Sequence, residues 1–171
     1  KLNPGNKGTD AGGAGSFNTA LGIAFGKAFY FGHHHFLSLR LSGQYSIPSP
    51  VDVEGLNAYG GAAGAKGTVY PMRNFELDFG LEFTFTQNWA FALDVIGNWW
   101  HTGRFKGNPG TLPNGNPGKI DVQAAMQWSA APALEYNWSD KIGLIGGVWF
   151  TFLGKNSDNF ISGIIAFNYY N

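Results

Sequence analysis

Acidic side chains recur on one side of the alternating segments of this sequence. Six of the eleven acids, Glu76, Asp78, Glu82, Asp94, Asp121 and Glu135, occupy the polar positions of runs that alternate with apolar residues. Arg40 is the one base of eleven placed with them. Carboxylates that are dry and unpaired are costly, so these must be hydrated, ion-paired or protonated. Together with Ser38 and Gln44 they suit the wall of a water-filled, cation-preferring passage with a charged constriction. Structural ion pairs with Arg40 are the plainer alternative.

Other constellations carry less. His33 and His35 of the run His33-His34-His35 fall on one side of an extended chain. A metal site needs more than two ligands in fixed geometry, and no second cluster lies near in sequence. A solvated turn is the better reading, and no metal or cofactor is expected. A hydrolase would need Ser or Asp with His at one height. His101 with Ser46 or Asp121 is the candidate set, but nothing fixes its spacing and no G-x-S-x-G is present, so an enzyme is not expected. Residues 60–68, GGAAGAKGT, lack Gly before Lys66 and Ser or Thr directly after it, and so fail the phosphate-loop pattern.

The segments that position the acids alternate with a period of two. In residues 75–86, Phe75, Leu77, Phe79, Leu81, Phe83 and Phe85 alternate with Glu76, Asp78, Gly80, Glu82, Thr84 and Thr86. Successive side chains of a strand point to opposite faces, so this is a β-strand with unlike faces. After Gln87-Asn88 the pattern restarts with Trp89, Phe91, Leu93, Val95 and Trp99 on one face and Ala90, Ala92, Asp94 and Asn98 on the other. The same reading places strands at about 17–31, 36–47, 75–86, 89–100, 120–137, 142–153 and 160–170, with a bulge expected at Pro132. Helical periodicity is absent. Residues 48–74 and 101–119 read as long Gly- and Pro-rich loops, and the turns near His34, Asn88 and Ser139 read as short.

Composition bears on which face is wet. Lys and Arg number eleven, as do Asp and Glu, which excludes a basic field for nucleic acid. Cysteine is absent, which excludes disulfides and thiolate metal sites. No apolar run reaches the length of a transmembrane helix. Only 13% of residues are charged, against about 25% in soluble domains, while 16% are aromatic. A soluble, lipocalin-like barrel would need many Lys and Glu on its outer face. Here the face opposite Phe and Leu is mostly Ala, Gly, Ser, Asn, Thr and Gln. An apolar face turned to lipid around a modestly polar interior suits both compositions better. Trp89, Trp138 and Tyr136 lie near short turns, and Trp99 and Trp128 near the long-loop ends. Indole and phenol rings favour membrane interfaces, so these are expected to form two aromatic belts rather than a core.

Taken as one domain, 1–171, the chain is expected to be all-β, a transmembrane antiparallel up-and-down β-barrel. The segment from Met126 resembles the C-terminal end of Gram-negative outer-membrane barrels. Within them it is most similar to the outer-membrane transporter family linked to the MetA pathway of phenol degradation. The pieces carrying the resemblance are Pro132-Ala133-Leu134-Glu135-Tyr136, the Asn137-Trp138 turn, Gly146-Gly147, and Gly154-Lys155-Asn156 before a last strand. It covers about the last quarter of the chain. Many such barrels end in Phe, whereas this chain ends Tyr169-Tyr170-Asn171. The resemblance brings no catalytic residues and implies a bacterial outer-membrane location and passage of small solutes.

The expected partners are the lipid bilayer, a small-molecule solute, and a second copy or an outer-membrane assembly component. Seven strands are an odd number, and bacterial barrels are normally even. At least one further strand before Lys1 is therefore expected, with a Gly-rich plug formed by residues 1–16 as the alternative. A barrel that anchors without conducting is the second functional expectation.

Overall fold

A computed structural model describes residues 14–32 and 35–169. Among them the chain is all-β and antiparallel, with no helix. Its strands are β1 (Asn18–Phe31), β2 (His35–Pro48), β3 (Val51–Glu54), β4 (Lys66–Tyr70) and β5 (Asn74–Thr84). They continue with β6 (Trp89–Trp100), β7 (Arg104–Asn108), β8 (Ala125–Ser139), β9 (Ile142–Lys155) and β10 (Ile161–Tyr169). Seven form one sheet in the order β1-β2-β5-β6-β8-β9-β10, and three form another, β3-β4-β7. The large sheet is a meander, because strands adjacent in it follow one another along the chain once the small sheet is set aside. Its edges are β1 and β10, and no closed barrel is found among the described residues.

The seven long strands are those the alternation predicts. Short polar turns join several of them. At the β5–β6 turn, Thr86 Oγ1 accepts from the amides of Asn88 (3.2 Å) and Trp89 (3.0 Å). At the β8–β9 turn, Ser139 Oγ accepts from the Lys141 amide at 3.2 Å. Such side-chain acceptors let the chain reverse within a few residues.

Three local expectations are corrected. The spans 48–74 and 101–119 are not wholly loop, since they contain β3, β4 and β7. β8 begins at Ala125, not near Ile120, so Asp121 precedes the strand. Pro132 marks no bulge: Ala130 faces Phe150 and Ala133 faces Gly147, one register on both sides of the proline. The ring removes a donor from the ladder but adds no residue. The shifts occur between Trp128 and Ser129 and between Asn137 and Ser139. At the first, Trp128 faces Leu153 while Ser129 faces Thr151, which leaves Phe152 as the additional residue on β9.

By contacts the described residues fall into two compact units: those up to 21 with 45–74 and 100–125, and 22–44 with 75–99 and those from 126 onward. The first unit has a core of Val51, Val53 and Val69, packed by Tyr59, Phe105, Ile120 and Val122. Val51 faces Val69, and Val69 faces Phe105, so one face of the small sheet is apolar. Its other face pairs Glu54 with Lys66 and Asp52 with Thr68, whose Oγ1 donates to Asp52 Oδ1 at 2.7 Å. On that side Arg104 and Lys106 lie over the Tyr70 ring, 4.8 and 5.7 Å from its centroid. A side chain at Gly67 would meet the Phe105 ring, so glycine there lets the ring lie flat across the strand.

The second unit buries little. Ala90 is its only buried hydrophobic residue among those described, while Phe25, Phe79, Phe83, Leu134, Val148, Ile165 and Phe167 are exposed. The odd residues of β1, β5, β6 and β10 thus form a broad uncovered apolar face, joined by the even residues of β8.

Candidate functional site

The polar face of the second unit is organised by Arg40. This residue stands on β2, Asp78 on the adjacent β5, and Asp94 on β6 beyond it. Arg40 Nη2 donates to Asp78 Oδ2 at 3.4 Å and to Asp94 Oδ1 at 3.0 Å. One guanidinium therefore spans a whole strand. Gly80 makes the span available: a Cβ at this position would lie 2.9 Å from Asp94 Oδ1 and 3.0 Å from Arg40 Nη2. The cluster is wet, since the Arg40 and Asp94 side chains are 53% and 42% exposed. The remaining oxygen of Asp78, Oδ1, is buried without a protein partner.

Two acids farther along are not neutralised. Glu82 on β5 and Glu135 on β8, with β6 between them, take no ion pair among the described residues. Beside the cluster, Gln44 and Glu76 line a shallow groove of about 240 Å³ with Gly22, Ser42 and Gly43. A Cβ at Gly22 would come 3.1 Å from the Gly43 carbonyl oxygen, so small residues keep β1 and β2 close there. Ser38 shares the even positions of β2 with Arg40 and Gln44.

Of the nine residues expected to line the interior, eight lie on strands of the second unit, and Arg40, Asp78 and Asp94 make direct contact. Asp121 belongs to the first unit, where its amide donates to the Tyr59 carbonyl at 2.8 Å. His33 and His34 of the histidine run lie outside the described residues. His35 Nδ1 sits 3.2 Å from the Thr84 carbonyl oxygen. Among the described residues no group of three or more His, Cys, Asp and Glu could hold a metal ion.

The aromatic side chains form two rows in the second unit. At the short-turn end Phe85, Trp89, Tyr136 and Trp138 follow one another with centroid separations of 6.5, 4.7 and 5.3 Å. At the opposite ends of β5, β6 and β8, Phe75, Trp99 and Trp128 are followed by Phe152 of β9, with separations of 5.5, 5.0 and 6.5 Å. Gly97 makes room for the second row, since a Cβ there would lie 2.8 Å from the Trp99 ring and 3.0 Å from that of Trp128.

Two features were not expected from sequence. Tyr30 pairs with Phe36 at 6.3 Å, and both occupy even positions of their strands, not the odd apolar set. Trp149 Nε1 donates to the buried Ser129 Oγ at 3.0 Å, and its ring meets Phe160 edge-on at 4.9 Å. The odd position of Trp149 on β9, among Gly143, Ile145 and Gly147, was the signal available. No family model and no curated protein matches the chain.

Proposed function

We propose that this chain is an outer-membrane β-barrel, or part of one, and that it passes small solutes through a polar, acid-lined interior. The observation that carries the reading is the pair of aromatic rows bounding an exposed apolar face. Trp89 and Trp99 lie ten residues apart on β6 and on the same face. That is about 33 Å of strand at about 3.3 Å per residue. At a tilt of about 40° it spans about 25 Å, the height of the apolar band of outer-membrane barrels.

An uncovered apolar face of this breadth exceeds what a soluble monomer carries, and hydrocarbon is the cover that its flanking indoles fit. The opposite face offers Glu76, Glu82 and Glu135 beside the Arg40 cluster, whose one base faces two acids, which favours cations in a water-filled interior. The resemblance to transporters linked to phenol degradation agrees with a conduit and names no solute. One observation favours the non-conducting alternative. Arg40 bridges two acids across a strand, as a structural tie would, instead of leaving its charge free to guide a solute.

Planar-bilayer recordings separate the two. The conduit reading predicts discrete conductance steps, and a reversal potential under a KCl gradient that shows cation preference. A preference for anions removes the acid-lined interior, and the absence of conductance and of liposome swelling leaves the anchoring role.

A further inference from the structure

A cavity of about 370 Å³ opens in the first unit, and it shares no lining residue with the Arg40 cluster or its groove. The residues that line it include Tyr59, Trp100, Met72 and Val122. Asp121 is the one charged side chain among the residues that line it. The size lies toward the lower end of small-molecule sites, which run to about 300–1,000 Å³.

The walls are held by backbone rather than by chance rotamers. Tyr59 and Asp121 are locked side by side, because the Asp121 amide donates to the Tyr59 carbonyl. Asn57 Oδ1 in turn accepts from the Tyr59 amide at 2.9 Å. Gly60 sits at φ 101°, and a Cβ there would run into the Lys119 carbonyl, so the two segments approach as closely as backbone allows. On the far side of Asp121, the Gly103 amide donates to the Val122 carbonyl at 2.8 Å. Among the described residues Asp121 makes no ion pair.

Two aromatic residues and a methionine lining a cavity with one carboxylate that takes no ion pair among the described residues have a definite chemical preference. Aromatic rings attract a cation through their quadrupoles, the carboxylate attracts it through charge, and Pro48, Pro71, Met72 and Val122 offer apolar surface to a hydrocarbon body beside the polar Ser16, Asn18, Ser46 and Asn74. An anion would meet Asp121 with no base among the lining residues to offset it. A neutral aromatic molecule would leave Asp121 unused. We infer that this cavity binds a small organic ammonium ion with an aromatic or alicyclic body, the ammonium on Asp121 and the body between Tyr59 and Trp100.

The test is calorimetric titration of the full chain in detergent with 2-phenylethylammonium chloride, and with 2-phenylethanol as the neutral isostere. Partition into micelles is common to all protein variants and cancels between them. The wild type is expected to bind the ammonium saturably. Asp121→Asn is expected to weaken it about tenfold, the loss of one charge-assisted contact, and to leave the alcohol unchanged. Tyr59→Leu is expected to weaken both. Asp121 lies outside the strands, and an unchanged β-sheet circular dichroism spectrum reports that the fold persists. If the asparagine variant unfolds, Tyr59→Leu against wild type decides the matter. No saturable binding by the wild type, or equal affinity in the variants, overturns the assignment. Binding is read without flux, so its failure leaves the conduit standing, and the failure of the conduit leaves the cavity standing.

Discussion

Arg40 reaches Asp94 because the position between them on β5 is glycine. Any side chain at residue 80 would stand where the guanidinium crosses. Valine there would raise strand propensity by up to about 1 kcal/mol while displacing Arg40 from Asp94. With half of Arg40 in solvent, the pair itself stabilises by at most about 1 kcal/mol. A double-mutant cycle therefore separates the two effects. Asp94→Ala is expected to lower the urea midpoint in the wild type and to leave it unchanged in a Gly80→Val background. Equal shifts in both backgrounds would mean that the contact across β5 is idle. The acids themselves were legible in the sequence, because parity puts Asp78 and Asp94 on one face. The span was not, because it depends on which strands are neighbours and on a missing Cβ between them. Asp121 was misread for a related reason: Ile120, Val122 and Ala124 continue the alternation of β8, but the chain there runs beside Tyr59 instead.

Among the elements, the long strands were visible as runs of ten or so alternating residues, whereas β3, β4 and β7 were not. β3 has four residues between Pro50 and Gly55, and β4 and β7 have five each and contain Gly67 and Gly107. Glycine and proline are the usual marks of loops, and here they serve close backbone packing inside a small sheet. That sheet has its own core around Val69, which is fully buried. Val69→Ala is expected to cost about 2 kcal/mol from the cavity it leaves. The loss should be local, because the core it belongs to lies in the first unit. Hydrogen exchange is the measurement: amides of β3, β4 and β7 should exchange faster, while those of β5 and β9 hold their rates. Acceleration spread evenly over all ten strands would mean that the small sheet is not a separate cooperative element. The bulge belongs to this scale as well. Proline drew attention to residue 132, but the additional residue is Phe152 on the facing strand, and nothing in its neighbours' types announces it.

For the molecule as a whole, composition and architecture make the same demand. With 13% charged residues and 16% aromatic residues, the chain has few groups with which to dress a surface in water. The seven-stranded sheet leaves its Phe and Leu side uncovered and turns its acids the other way. Hydrocarbon on the first side and water on the second satisfies both faces. The reverse arrangement would put Phe79 and Phe83 in a dry centre with Glu76 and Asp78 on an outer wall. The absence of cysteine makes the choice directly measurable, since every introduced thiol is the only one present. Single cysteines at Phe79, Leu81 and Phe83, and at Asp78 and Glu82, can be exposed in liposomes to a membrane-impermeant maleimide, with labelling of lipid-exposed thiols by a bilayer-soluble reagent as the complement. The account predicts that Asp78→Cys and Glu82→Cys react from water, while Phe79→Cys, Leu81→Cys and Phe83→Cys react only from the bilayer. Water labelling of the odd set with protection of the even set would contradict it.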